Sequence, residues 1–321
     1  MLCVGWPTSR NSEFFMTRLC RFNPVMSLAI GLVMCGQLHA QVRGVYPLGM
    51  SAINSGVTPG SGFTYSNFFA IYSRSQFRGP HGEILATGSQ SVIMDMNSFI
   101  WVSKREILGG AKFSMSATLP IAKNSLVSDV TGPSSGGKGF ADSYYQPFIL
   151  GWQKERAAIR AVYGFLAPTG RFSAGAKDNV GSGYWTHVVA SGQTFYLTKN
   201  KAYSLSAFQM YEFHTPQKET KIHPGQNLDL DYSLMRAIRF GGNKGLQVGL
   251  VGYNQWQTSA KTGPTVTPEQ EKDRYKVNGI GFATNLNLPS KINLGIKYFR
   301  EFSNRSTFQG YSLQLSGSIG F

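Results

Sequence analysis

A period of two runs along this chain from residue 63 to its last position. In the final stretch Tyr311, Leu313, Leu315, Ile319 and Phe321 share one parity, while Ser312, Gln314, Ser316 and Ser318 share the other. Successive side chains of a strand point to opposite faces, so this pattern predicts a strand with one apolar and one polar side. Twelve such segments can be marked out, at about 63–77, 89–102, 110–121, 143–154, 156–167, 184–198, 201–214, 226–240, 245–258, 274–288, 291–303 and 307–321. Each is long for a globular strand, and about 9–11 tilted residues of each suffice to cross a bilayer.

The connections sort by length. After the odd-numbered segments come 78–88, 122–142, 168–183, 215–225 and 259–273, and only the last, near Asn304-Arg305-Ser306, is short. After the even-numbered ones come Glu155, Asn200, 241–244 and 289–290, with 103–109 of intermediate length. Long loops at one end and brief turns at the other describe a membrane barrel, with the turns on the periplasmic side. A soluble sandwich has no reason to sort its connections this way. We therefore expect an all-β fold, a transmembrane antiparallel up-and-down β-barrel of about twelve strands over residues 63–321. The location implied is the cell outer membrane of a Gram-negative bacterium. The alternating last strand with its terminal aromatic, Phe321, resembles the C-terminal signature of bacterial outer-membrane barrels, which implies barrel-assembly machinery as a partner.

A basic side chain facing mid-bilayer lipid costs about 2–4 kcal/mol, which sets the apolar parity outward and the polar parity toward the lumen. In the third segment Phe113, Met115, Leu119 and Ile121 alternate with Lys112, Ser114, Ser116 and Thr118; in the eighth Leu228, Leu230, Tyr232 and Leu234 alternate with Asn227, Asp229, Asp231 and Ser233. Arg236 breaks the rule by sharing the leucine parity, which calls for snorkelling to the interface or a bulge. The sixth and tenth segments alternate poorly, and their facing stays open. Tyr144, Trp152, Tyr184, Trp185, Tyr203, Tyr211, Tyr253, Trp256 and Tyr298 fall near strand ends, as aromatic belts do. The polar parity gives a candidate lumen lining of Asp95, Asn97, Lys112, Arg160, Glu212, Asp229, Asp231, Arg239, Lys297 and Glu301. A twelve-strand lumen falls between a side-chain-filled barrel and an open pore. A narrow conduit, with 122–142 and 168–183 folding inward, is one reading; a barrel plugged by its own paired charges is the other.

Composition adds three constraints. Charged residues make up 15% of the chain, aromatics 13%, and mean hydropathy lies slightly below zero. No apolar run reaches the ~18 residues a membrane helix needs. Residues 1–40 read as a signal peptide: Arg18 and Arg21 precede an apolar Val25–Met34, and Leu38-His39-Ala40 is a small-residue cleavage site. All three cysteines, Cys3, Cys20 and Cys35, fall inside it, so the exported chain would carry no thiol. Residues 41–62, rich in Gly, Ser and Pro, read as a periplasmic lead-in. The leader's three arginines and one glutamate take +2 of the formal +15, leaving +13. In an exported barrel that excess points to lipid and anionic lipopolysaccharide, or to a weakly anion-preferring lumen, and not to nucleic acid.

Candidate chemistry is sparse. Gly132-Pro-Ser-Ser-Gly-Gly137-Lys138-Gly139 resembles a phosphate loop, but Gly139 replaces the hydroxyl and no helix follows; it reads as an outer loop. The exported histidines, His81, His187, His214 and His223, have no serine and acid or amide beside them in sequence. No catalytic, cofactor-binding or metal-binding residue is expected, and no cofactor.

The short pieces line up in the order of a known family. They are Leu108-Gly109-Gly110; Gly139-Phe140-Ala141-Asp142 with Pro147 and Leu150-Gly151-Trp152; Pro168-Thr169-Gly170; and Asn179-Val180-Gly181 with Tyr184-Trp185. Then follow Gly225 with Asp229, Gly252-Tyr253 with Gln255, and Tyr298, Glu301-Phe302, Asn304-Arg305 and Gly310. On these the chain resembles the outer-membrane transport family named after the MetA pathway of phenol degradation. Gly279-Ile280-Gly281 departs from it, standing where the family usually shows a Gly-Pro pair. The resemblance implies a barrel that moves hydrophobic or aromatic compounds across the outer membrane, and carries no agreed site residues; our reading is a monomeric channel for passive transport of small hydrophobic or aromatic solutes. A structural or adhesion barrel without conductance is the alternative, and a barrel hydrolase comes third.

Overall fold

The computed structural model describes residues 43–241 and 244–321; the expected signal peptide and all three cysteines lie outside the described residues. Thirteen strands follow in order: β1 (Gly62–Arg78), β2 (Ile84–Ile107), β3 (Ala111–Ser128), β4 (Gly132–Phe140), β5 (Ser143–Gln153), β6 (Ala157–Ala167) and β7 (Thr186–Tyr196), then β8 (Tyr203–His214), β9 (Asn227–Phe240), β10 (Lys244–Gln257), β11 (Lys276–Leu288), β12 (Ile292–Glu301) and β13 (Thr307–Gly320). One short helix, α1 (Pro268–Lys272), sits between β10 and β11.

Every strand pairs antiparallel with its sequence neighbour, except that β3 passes over β4 to pair with β5. The ends meet: β1 pairs with β2 on one side and with β13 on the other, from Thr64 opposite Gly320 to Arg78 opposite Thr307. Leaving out β4, twelve strands close a barrel without an edge. The twelve predicted segments correspond to these twelve strands one for one.

The stretch 122–142 is not the irregular loop expected of it. Residues 122–128 continue β3, and β4 pairs back on them from Ile121–Phe140 to Ser128–Gly132. The glycine-rich stretch that resembled a phosphate loop is therefore a strand. Its Gly/Ser composition concealed it, because a ladder beyond the bilayer needs backbone groups and no apolar face.

The two faces separate as alternation requires. Leu119, Ile121, Leu234, Leu250, Phe282, Ile296, Leu313 and Leu315 stand exposed on the outside, while Asn227, Asp229, Asp231, Ser233 and Met235 are buried within. Arg236 keeps the outward parity in an unbroken register, so no bulge is involved; it lies over the Tyr203 ring close to the short-turn end. The two undecided strands now have faces. β7 turns Thr186, Val188, Ala190, Gly192 and Thr194 inward, and β11 turns Val277, Gly279, Gly281 and Ala283 inward. Small and apolar residues on the inner face blurred their period.

The reason those inner faces are apolar is residues 43–61. They do not lead away from the wall into the periplasm; they run through the barrel from the long-loop end to the short-turn end, where β1 begins. Tyr46, Leu48 and Ala52 join Ile149, Val162, Val188, Phe208, Met235, Val251 and Phe299 in one buried cluster. Eight-strand barrels can be filled by side chains alone, whereas this wider wall takes in a segment of chain. The core thus lies in the lumen.

Leu315→Arg, on the outward face of β13 between Phe69 and Ile296, should destabilise the barrel by about 2–4 kcal/mol in lipid. Reversible urea unfolding in phospholipid vesicles checks this, and an unchanged midpoint would contradict an outward Leu315.

Candidate functional site in the barrel lumen

Residues 43–61 are held by wall side chains and not by a strand ladder. At the long-loop end the Arg43 guanidinium forks onto Glu301, with Nη1 2.7 Å from Oε1 and Nη2 3.1 Å from Oε2. Arg43 also donates to Thr307 Oγ1 and to the Phe308 carbonyl. Glu301 accepts in addition from Arg74 Nε at 3.4 Å, the Tyr253 hydroxyl at 3.2 Å, Asn304 Nδ2 at 3.1 Å and the Gly310 N–H at 3.0 Å. Hydrogen bonds with an ionised partner are roughly twice as strong as neutral ones. This carboxylate is saturated with them.

Further along, the Val45 and Tyr46 N–H groups donate to the two oxygens of Glu212 at 3.1 and 2.8 Å. Asp231 accepts from the Tyr46 hydroxyl at 2.5 Å and the Gly49 N–H at 2.9 Å. Gly49 has φ +85°, a left-handed turn that glycine adopts without cost, and its near neighbour is the Phe299 ring. From the facing wall Lys297 Nζ donates to the Gly49 and Met50 carbonyls at 2.6 and 2.8 Å, and Gln314 Nε2 to the Leu48 carbonyl at 2.7 Å. Nearer the short turns Ser233 donates to the Ala52 carbonyl, and Thr194 Oγ1 accepts from the Gly56 N–H. Buried backbone groups must find partners, and here the wall supplies them one by one.

Of the ten polar positions expected in the lumen, Lys112, Arg160, Glu212, Asp229, Asp231, Lys297 and Glu301 point inward. Asp229 accepts from Gln255 Nε2 at 2.6 Å. Lys112 Nζ lies 3.2 Å from Ser61 Oγ. Arg239 keeps the inward parity but stands exposed at the rim, donating to the Asn200 carbonyl. Asp95 and Asn97 point the other way and are not lumenal. Met96 between them is buried with Phe68, Ala70 and Tyr72, and the register sets Asp95 beside Phe69 and Ile121. Asn67 Nδ2 donates to Asp95 at 2.5 Å and the Tyr65 hydroxyl to Asn97 at 2.6 Å. This outward polar patch is hydrogen-bonded within itself, so polarity alone misassigned the face.

Sequence reasoning missed Arg43, Tyr46, Arg74 and Tyr253 as members of the socket. Arg43 and Tyr46 precede the first periodic segment, so no pattern marked them. It also left His214 without neighbours. The register between β7, β8 and β9 places Thr186 Oγ1 2.8 Å from its Nδ1 and Asn227 Nδ2 2.8 Å from its Nε2. Thr186 has no exposed surface, so no substrate reaches its hydroxyl. Among the described residues no group of His, Cys, Asp and Glu could hold a metal ion.

The net positive charge is unevenly placed. Lys104, Arg105, Lys154, Arg156, Lys199, Lys201, Lys244 and Lys291 stand in or beside the short turns, against Glu106 and Glu155. The long loops mix both signs. There, Asp142 ties the loop ends together, accepting from the Gly170 N–H at 2.9 Å and the Ser182 N–H at 2.7 Å. Burial pushes its carboxyl above the usual range, against the pull of those bonds. Asn124 Nδ2 donates to the Asn179 carbonyl, joining the β3–β4 hairpin to the same loop.

The sequence pieces that lay apart along the chain therefore converge. Tyr253, Glu301, Asn304 and Gly310 form the socket of Arg43, and Asp142, Thr169, Gly170 and Asn179 form the loop lock. The family described as "Putative MetA-pathway of phenol degradation" matches residues 74–316. Among solved structures the chain is similar to the COG4313 outer membrane channel from Pseudomonas putida F1, at 12% identity over 87% of this chain and 100% of that one, with a TM-score of 0.71. It is also similar to the β domain of the Bordetella autotransporter Brka, at 11% identity over 82% of this chain and 100% of that one, with a TM-score of 0.54. At such identities these two likenesses establish a shared barrel fold. No curated protein matches the sequence. With the family match extending over most of the barrel, the chain belongs to the MetA-pathway phenol-degradation family.

Proposed function

We propose that this chain is a passive channel of the outer membrane for small hydrophobic or aromatic solutes, with residues 43–61 as its resident plug. The observation that carries the reading is how that plug is attached. It lies in a closed wall, bonded through side chains to Glu212, Asp231, Lys297 and Glu301, and no strand of the wall depends on it for its ladder. Such a segment can shift while the wall keeps all its backbone bonds. Aromatic side chains along the path, Tyr46, Tyr72, Phe208, Tyr253 and Phe299, offer apolar contact to a passing ring. A protein of the same fold is described as an outer membrane channel, and the family description points to phenol degradation.

The packed lumen favours one competing reading, a structural barrel without conductance. Uptake decides between them. Gram-negative cells expressing the protein should take up a labelled neutral aromatic hydrocarbon faster than cells with an empty vector; equal rates would leave the structural reading in possession. In planar bilayers, deletion of residues 43–56 should convert a small or intermittent conductance into a larger steady one, with strand content unchanged by circular dichroism. Glu301→Gln should act in the same direction. It leaves two guanidinium groups facing a neutral amide, a loss of about 3–5 kcal/mol for a broken buried pair, and should raise the frequency of openings. An unaltered opening frequency would show that Arg43 does not hold the plug.

A further inference from the structure

Arg160 is an inward cation whose surroundings the plug does not explain. It projects from β6 between two glycines on the neighbouring strands, Gly151 of β5 and Gly192 of β7, its direct partners across the ladders. Its Nε is fully buried and has no hydrogen-bond partner. The plug crosses directly over those glycines: a Cβ on Gly192 would strike the Ser55 carbonyl, and one on Gly151 would strike the Thr58 hydroxyl. That Thr58 hydroxyl is the second buried polar atom here without a partner. One strand further, Lys112 stands opposite Gly151 on the same face.

Glu106 stands opposite Lys112 across the β2–β3 ladder, and among the described residues no carboxylate stands opposite Arg160. Glu212, Asp229, Asp231 and Glu301 all lie in the long-loop half and are engaged there by the plug, by Gln255 or by arginine. Arg160 is half-buried in the lumen with no counter-charge opposite it, and charged groups at that depth of a membrane protein usually mark a ligand path. The adjoining wall is apolar: Ile149 and Val162 occupy the next inward positions, and Phe208 faces Gly192 across β8. The short-turn mouth below is ringed by lysine and arginine, which raises the local concentration of anions.

We propose that Arg160, with Lys112 and the Thr58 hydroxyl, forms a lumenal subsite for the carboxylate of a small hydrophobic acid, whose apolar body rests against Ile149, Val162 and Phe208. This rests on the channel reading and narrows its solute class to aromatic or aliphatic monocarboxylates. Two hydrogen-bond donors and a positive charge beside an apolar wall suit a planar carboxylate with a greasy body. A neutral ring would leave the guanidinium unsatisfied.

Calorimetry on the full-length protein in detergent tests it, with benzoate, its neutral counterpart benzyl alcohol, and inorganic phosphate as probes. Benzoate should bind the wild type, and Arg160→Met should weaken it at least about tenfold, the scale of one charge-assisted hydrogen bond, while leaving benzyl alcohol unchanged. Arg160→Lys should retain part of the affinity, and Lys112→Met should lose a smaller factor. Heat-modifiable gel mobility confirms that each variant is folded, and the lysine variant and Lys112→Met carry the test if Arg160→Met does not fold. No benzoate binding to the wild type, equal binding by folded Arg160 variants, or phosphate binding as tightly as benzoate would each overturn the subsite. Cellular uptake of a neutral aromatic hydrocarbon continuing in those cases would show that the channel reading survives alone. Benzoate binding without any uptake would show the reverse.

Discussion

A sheet immersed in hydrocarbon cannot keep an edge. Each unpaired N–H or C=O there costs several kcal/mol, with no water to take it. Closure between β1 and β13 follows from that requirement, and much else follows from closure. With twelve strands the enclosed space is wider than that of the eight-strand barrels inward side chains fill and narrower than that of the sixteen-strand barrels that hold open water. Residues 43–61 occupy it, and the buried cluster of this protein forms around them. The hydrophobic core is therefore assembled from the inner wall and a threaded segment, not from two packed layers.

That arrangement turns polar wall residues into a docking surface for backbone. Glu212 and Asp231 take N–H groups, while Lys297 and Gln314 give to carbonyls on the facing side. The donors and acceptors complement the plug in the order it presents them, which sets the depth and rotation of its seated position. Glu301 fixes its long-loop end by meeting two arginines at once. Removing a side chain from such a set leaves its partner buried and unpaired, which costs more than the bond itself contributes. The short-turn half is built differently. There Gly151 and Gly192 let the plug press against the wall, and Arg160 is left with no acid to meet.

Strands that face lipid on one side and polar groups on the other were legible from period alone; β3, β9 and β13 are of this kind. The sorting of long and short connections made closure and orientation legible as well. β7 and β11 were not, because apart from Thr186 and Thr194 the faces they turn to the plug are apolar or glycine, and both sides of the strand then read alike. Residues 43–61 have no period at all: their conformation is set by partners far away in sequence, such as Thr194 for Gly56 and Gln314 for Leu48. The face of Asp95 and Asn97 was misread because polarity was taken to mean lumen, whereas the partners Asn67 and Tyr65 also sit outside. The family motifs were visible as a list. That Tyr253, Glu301, Asn304 and Gly310 surround one arginine is a fact of register.

The seam between β1 and β13 also bears on how the molecule is made. Glu301 and Gln314, which grip the plug, lie on the last two strands, more than 250 residues from Arg43 and Leu48. Contacts of that separation form late. Until the final strands arrive, the first segment has no complete socket, and once the seam has zipped around it the wall encircles it. Threading and closure thus depend on the same two strands, and a mutation that weakens the seam would also loosen the grip on the plug.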